Sequence, residues 1–136
     1  MNTKYPVRAV SAACVADGKV LLVLRGRAPA KGRYAFPGGR VEPGEGLDVA
    51  MRRELKEETG LEALAWRPFR DVLLKASEPG AFDYALTVFL VQETSGTLQA
   101  GDDAAEARWV TLREAETLPV TSSTLVVVRE LLAEAS

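Results

Sequence analysis

The sequence predicts one domain of the α/β or α+β class, a mixed β-sheet with helices packed on its faces. Three observations carry this. The chain has 136 residues, a size that suits a single domain with its own core. Hydrophobic residues make up 47% and charged residues 26%, a globular rather than a disordered composition. Stretches with strand-like patterning precede, separate and follow stretches with helical spacing. On these grounds residues 1–136 are expected to form one unit, with no internal repeat and no low-complexity linker.

The elements follow in order. "VRAVSAACVADGKVLLVLR" reads as two strands joined by Asp17-Gly18, a dipeptide suited to a tight hairpin turn. "GRAPAKG" is a loop, and "RYAF" is a short extended piece that stops at Pro37. "PGGRVEPGEG" reads as a glycine-rich loop. A helix is expected from Leu47 to Thr59, with Gly60 as its left-handed C-terminal cap. "ALAWRPFRDVLLKA" and "AFDYALTVFLVQE" read as strands around the turn "SEPG", and "EARWV" as a further strand. "TLREAETLP" is a short helix with Thr111 as N-cap, and "TSSTLVVVRELLAEA" a C-terminal helix.

Composition excludes several chemistries. Net charge is −2, which argues against DNA or RNA as the main partner, because neutralising a polyanion needs clustered Lys and Arg. Small phosphorylated ligands stay open. Cys14 is the sole cysteine, so no intrachain disulfide forms, and its apolar setting reads as core. There is no histidine, which removes Ser-His triads and His-ligated metals. Acid–base or metal chemistry must then use carboxylates, Lys, Tyr or water. The aliphatic runs "VLLVL" and "LVVV" are too short to span a bilayer, and "MNTKYPVRAV" lacks a signal-peptide core, so no membrane partner and a cytoplasmic location are expected.

The segment Gly38 to Leu61 gathers Glu42, Glu45, Glu54, Glu57 and Glu58. At about 100° per residue from Leu47, Met51 falls near 40°, Leu55 near 80° and Ala50 near 300°, an apolar stripe that should face the core. Glu54 falls near 340°, Glu58 near 20° and Glu57 near 280°, on or beside that stripe, whereas Asp48, Arg52 and Lys56 fall at roughly 100–180°, the solvated side. Unpaired carboxylates turned toward a core cost several kcal/mol, and two neighbours repel. Arg53, near 240°, can offset part of this, and a hard divalent cation such as Mg²⁺ or Mn²⁺ the rest.

The spacing is then specific: Gly39, five residues, Glu45, seven residues, Arg53-Glu54-Leu55, one residue, Glu57-Glu58, one residue, Gly60-Leu61. This resembles the Nudix box at every fixed position, and the flanking "FPGG" and "EARWV" are similar to the family as well. In appearance the chain is closest to small ADP-ribose pyrophosphatase-like and MutT-like members. The resemblance implies an α/β/α sandwich around a mixed sheet, and Mg²⁺- or Mn²⁺-dependent hydrolysis of a nucleoside diphosphate linked to another moiety. By position it implies Glu54, Glu57 and Glu58 as metal ligands, with the Gly39 carbonyl as a backbone ligand. Arg53 would orient the glutamates, Glu45 would support the loop and helix by pairing with Arg53, and Gly60 would cap the helix. Glu42 receives no role beyond solvation.

A general base is implied from Glu57, Glu58 or a later acidic loop, where Asp103 and Glu106 are each read as base or extra ligand against a solvated role. Arg25 and Arg27 are read as phosphate-binding or as surface residues. Phe36, beside Gly38 and Gly39, either stacks on a base or packs in the core. Pro79 lies beyond the box roughly where ADP-ribose-cleaving members often carry a proline, although its spacing is not a clean match. Three readings are carried: a small-molecule nucleotide substrate of the ADP-ribose or nucleotide-sugar kind, a nucleoside triphosphate pyrophosphohydrolase, and a non-catalytic nucleotide-sensing module. Exposed strands could pair two copies into a homodimer, and the sequence leaves the oligomeric state open.

Overall fold

The computed structural model describes residues 5–27, 30–76, 79–101 and 104–133. Among these, β1 (Val7–Ala16) and β2 (Lys19–Arg25) form the expected hairpin. Asp17 (φ 52°) and Gly18 (φ 74°) both take positive φ, the backbone that a two-residue turn matching strand twist demands. Then come β3 (Tyr34–Ala35), β4 (Gly38–Arg40), α1 (Leu47–Thr59), β5 (Glu62–Leu74), β6 (Tyr84–Ser95), β7 (Ala104–Val110), α2 (Leu112–Thr117) and α3 (Ser122–Leu132).

The sheet runs β3-β2-β1-β6-β5, with β4 also on β1 and β7 also on β2. The β1–β6 pair is parallel and the other strand pairs are antiparallel, so the sheet is mixed. β5 lies at the end of that path. It carries Pro68 and register shifts near positions 63–66 and 68–70, features that blunt an exposed edge.

Helices cover both faces. Alternation along β1 sends Val10, Ala12 and Cys14 to one core with Leu21, Met51, Leu55 and Phe89, under α1. Ala13 goes to the other, with Leu22, Val88, Val127, Val128 and Leu132, under α2 and α3. The result is the expected α/β/α arrangement. Cys14 is fully buried and burial pushes its thiol up to about 12, so it is an inert core residue.

One reading is corrected here. The glycine-rich stretch after Pro37 is not all loop: Gly38, Gly39 and Arg40 pair with Ser11, Val10 and Ala9 as β4. A Cβ on Gly38 would sit 2.1 Å from the Val10 carbonyl oxygen, so only glycine lets the two backbones approach this closely. Thr111 caps α2 in a full capping box with Glu114. The expected turn 77–80 lies partly outside the described residues.

Candidate functional site

A cleft of about 720 Å³ opens where β1, β4, β6, α1 and the start of α3 meet. Helix α1 supplies its acidic wall. The helix ends sharply because Gly60 takes φ 77° and donates to the Lys56 carbonyl, while the buried Thr59 hydroxyl donates to the Leu55 carbonyl and accepts from Leu61 N–H. Loop 97–101 closes over that end, with Gln99 N–H on the Thr59 carbonyl and Gly101 N–H on the Glu58 carbonyl. Met51 and Leu55 anchor the helix below, so Glu54, Glu57 and Glu58 are held along the rim.

The three carboxylates differ. Glu58 is buried, 8% exposed, and accepts the Gly38 N–H at 2.8 Å. Burial pushes its carboxyl up to about 8, and the neighbouring Glu54 charge adds to the rise while the Gly38 N–H and Arg25 oppose it. Glu54 is also raised, chiefly by burial, against the pull of Arg53. Its carboxylate abuts β4 so closely that a Cβ on Gly39 would lie 2.6–2.7 Å away. Glu57 is more exposed and turned toward Arg53. Among the described residues no three acidic groups converge as a ready-made cage. What the structure offers is a desolvated Glu54–Glu58 pair at the cleft wall, a donor set of hard oxygens that suits Mg²⁺ or Mn²⁺.

Arg53 stands behind this wall and does not line the cleft. Its Nε and Nη2 donate to Glu45 at 2.7 and 2.9 Å, its Nη1 to Glu54 at 2.7 Å and Glu57 at 3.4 Å, and its Nη2 to the Arg40 carbonyl at 3.1 Å. Glu45 also accepts the Glu42 N–H at 3.0 Å. These bonds hold the Glu45 carboxyl down at about 2. Glu42 itself is exposed.

Of the other residues singled out by sequence, Arg25, Arg27, Phe36, Gly38 and Gly39 all line the cleft. Phe36 is 5% exposed, so it is a core residue and a wall at once. Glu106 is not brought to the cleft. It lies on β7 opposite Leu24, with Arg108 at 3.6 Å. Asp103 lies outside the described residues. Missed altogether were Ser11, Arg40, Tyr84, Thr121, Ser123 and Thr124, which also line the cleft, and Glu42, read as merely solvated, lines it too. Alternation on β1 was the available signal for Ser11. Arg40 and Tyr84 depend on strand registers, and Thr121, Ser123 and Thr124 on where the start of α3 docks, neither of which the sequence shows.

The NUDIX domain family model matches residues 5–134. The chain belongs to the NUDIX family. It is 38% identical over 108 residues to an ADP-ribose pyrophosphatase of Methanocaldococcus jannaschii, covering 79% of this chain and 63%, a little under two thirds, of that protein. It is 34% identical over 115 residues to the CTP pyrophosphohydrolase of Escherichia coli, covering 84% of this chain and 82% of that protein. In structure it matches a MutT NUDIX hydrolase from Burkholderia pseudomallei with a TM-score of 0.86, at 27% identity over 94% of this chain and 99% of that one. The Nudix box thus coincides with the acidic wall, and its fixed glycine and arginine sit where β4 and the buried carboxylates meet. No helix among the described residues is long and apolar enough to cross a membrane.

The raised carboxyl of Glu58 sets a pH dependence for the metal-free protein. Unfolded, a glutamate titrates near 4.5. Folded, Glu58 titrates near 8, so between those values the folded state binds more protons and stability falls as pH rises. Melting curves in EDTA should therefore show Glu58→Gln matching wild type near pH 4.5 and gaining on it up to about pH 8. A constant gap across that window would contradict the burial of an ionisable carboxyl here.

Proposed function

We propose that this Nudix protein hydrolyses the pyrophosphate bond of a nucleoside diphosphate linked to another moiety, with ADP-ribose and nucleotide sugars as the first candidates. The observation that carries this is the desolvated Glu54–Glu58 pair facing a cleft beside glycine backbone and arginines. The similarity to the archaeal ADP-ribose pyrophosphatase supports the substrate class.

Glu54, Glu57 and Glu58 would hold Mg²⁺ or Mn²⁺, with the Gly39 carbonyl as a further oxygen ligand. Such a cation, when bound, offsets diphosphate charge and acidifies water. Arg53 keeps Glu54 and Glu57 oriented from behind. Arg25 and Arg27, on the cleft wall, bind phosphate oxygens. Water adds to one phosphorus as the bridging P–O bond breaks. Its proton passes to Glu57 or Glu58, and the other phosphate departs. The products are a nucleoside monophosphate and a second phosphorylated fragment.

A triphosphate pyrophosphohydrolase is the second reading, favoured by the more complete overlap with the Escherichia coli CTP enzyme. A panel of ADP-ribose, ADP-sugars and nucleoside triphosphates with Mg²⁺, read by chromatography as release of nucleoside monophosphate, separates the two. ADP-ribose and ADP-sugars should turn over, and EDTA should abolish the signal. Turnover of triphosphates alone would overturn the first reading, and activity surviving EDTA would overturn the metal chemistry.

A further inference from the structure

We propose that Arg40, held in place by Tyr84, is a substrate-binding residue that grips a phosphate of the substrate from the sheet side of the cleft. This rests on the diphosphate-cleaving reading above and adds a residue to it.

Arg40 ends β4, one residue past Gly39 and the Glu54 carboxylate. It is in register with Ala9 on β1, and Ala9 with Leu86 on β6. Residues paired across strands present their side chains on one face. That face is the floor of the cleft, which Arg40, Ala9, Leu86 and Tyr84 all line.

The partners of Arg40 are neutral. Its Nη2 donates to the Tyr84 hydroxyl at 2.8 Å. Its Cζ lies 5.6 Å from the centroid of the Tyr84 ring and 6.0 Å from that of Phe82. Aromatic faces hold a guanidinium in one plane without neutralising it. Among the described residues no carboxylate pairs with Arg40, although Glu42, Glu54 and Glu57 line the same cleft. Arg53, thirteen residues on, takes up carboxylates instead. Tyr84 takes one N–H of Nη2, so Arg40 keeps its full charge and one of its two planar edges, Nε–Nη2 or Nη1–Nη2, for two oxygens of one phosphate. Its main-chain carbonyl accepts from Arg53, so the fork is tied by backbone to the residue that sets the glutamates.

The test compares Arg40→Met, Arg40→Lys and Tyr84→Phe with Arg67→Met, which removes an exposed charge from β5. Two quantities are read: KM and kcat in Mg²⁺, and the calorimetric Kd for ADP in EDTA. Losing a charge-assisted contact predicts that Arg40→Met raises KM and Kd roughly 10-fold or more while kcat stays within about threefold. Arg40→Lys keeps the charge but loses the fork and falls between. Tyr84→Phe keeps the charge but loosens it, for a rise of about threefold. Equal KM and Kd in Arg40→Met and Arg67→Met would overturn the proposal, as would a loss of kcat at unchanged KM. If wild type turned over no diphosphate yet ADP binding still depended on Arg40, the hydrolytic reading would fall and this one would stand.

Discussion

Glu58→Gln is expected to lower kcat by roughly two orders of magnitude or more while leaving the fold intact. Glutamine has the shape of glutamate and can still accept the Gly38 N–H that holds Glu58 in place. What it lacks is charge. The wild-type carboxylate is 8% exposed, beside a second raised carboxyl, and both cost stability in the absence of a cation. A protein keeps such a cost where the group has work to do. The variant should therefore be no less stable than wild type at neutral pH without metal, and should gain less from added Mg²⁺. Glu62→Gln is the control, because Glu62 is exposed on β5 away from the cleft and its loss should leave kcat near wild type. The measurements are kcat on the best substrate of the panel and melting curves with and without Mg²⁺. Wild-type kcat in Glu58→Gln would remove this carboxylate from the chemistry.

The acidic wall was legible in the sequence because a helix converts spacing into direction. Leu47, Met51 and Leu55 fix the buried stripe, and the angles then place Glu54 and Glu58 toward the core and Glu57 beside it, as found. Asp17-Gly18, Gly60 and Thr111 were legible for a similar reason: each answers a local backbone demand. β4 was not. Gly-Gly-Arg has no alternation and little strand propensity, and it is a strand only because Val10 and its neighbours supply the partner. The sheet side of the cleft was hidden likewise. Ser11, Arg40, Tyr84 and Thr124 come from four elements, brought together by the β1–β4 and β1–β6 registers and the docking of α3, which no local signal encodes. Arg52 shows the limit on α1 itself. Its angle put it on the solvated side, yet its guanidinium lies 5.0 Å from the ring centroid of Trp66 on β5. Direction was readable and the neighbour was not.

Arg53→Met should lower kcat about 10- to 100-fold at nearly unchanged KM, because Arg53 holds Glu54 and Glu57, the proposed ligands, without lining the cleft. It should also change the acid limb of stability. In wild type, Arg53 and the Glu42 N–H hold the Glu45 carboxyl at about 2, against 4.5 unfolded. That contribution is present above pH 4.5 and is lost as pH falls toward 2, since the unfolded chain takes up the proton first. Without the guanidinium the contribution shrinks, and the Glu45, Glu54 and Glu57 carboxylates lose a shared cation. Melting temperatures of the variant should drop at neutral pH and depend less on pH below 4.5. Glu45→Gln in the same chain should recover part of the melting temperature but none of the kcat, because it removes the stranded charge without restoring the grip on Glu54. Arg53→Lys should recover little of either: one ammonium cannot bridge Glu45, Glu54 and the Arg40 carbonyl together. A rise in KM at constant kcat would instead place Arg53 on the substrate.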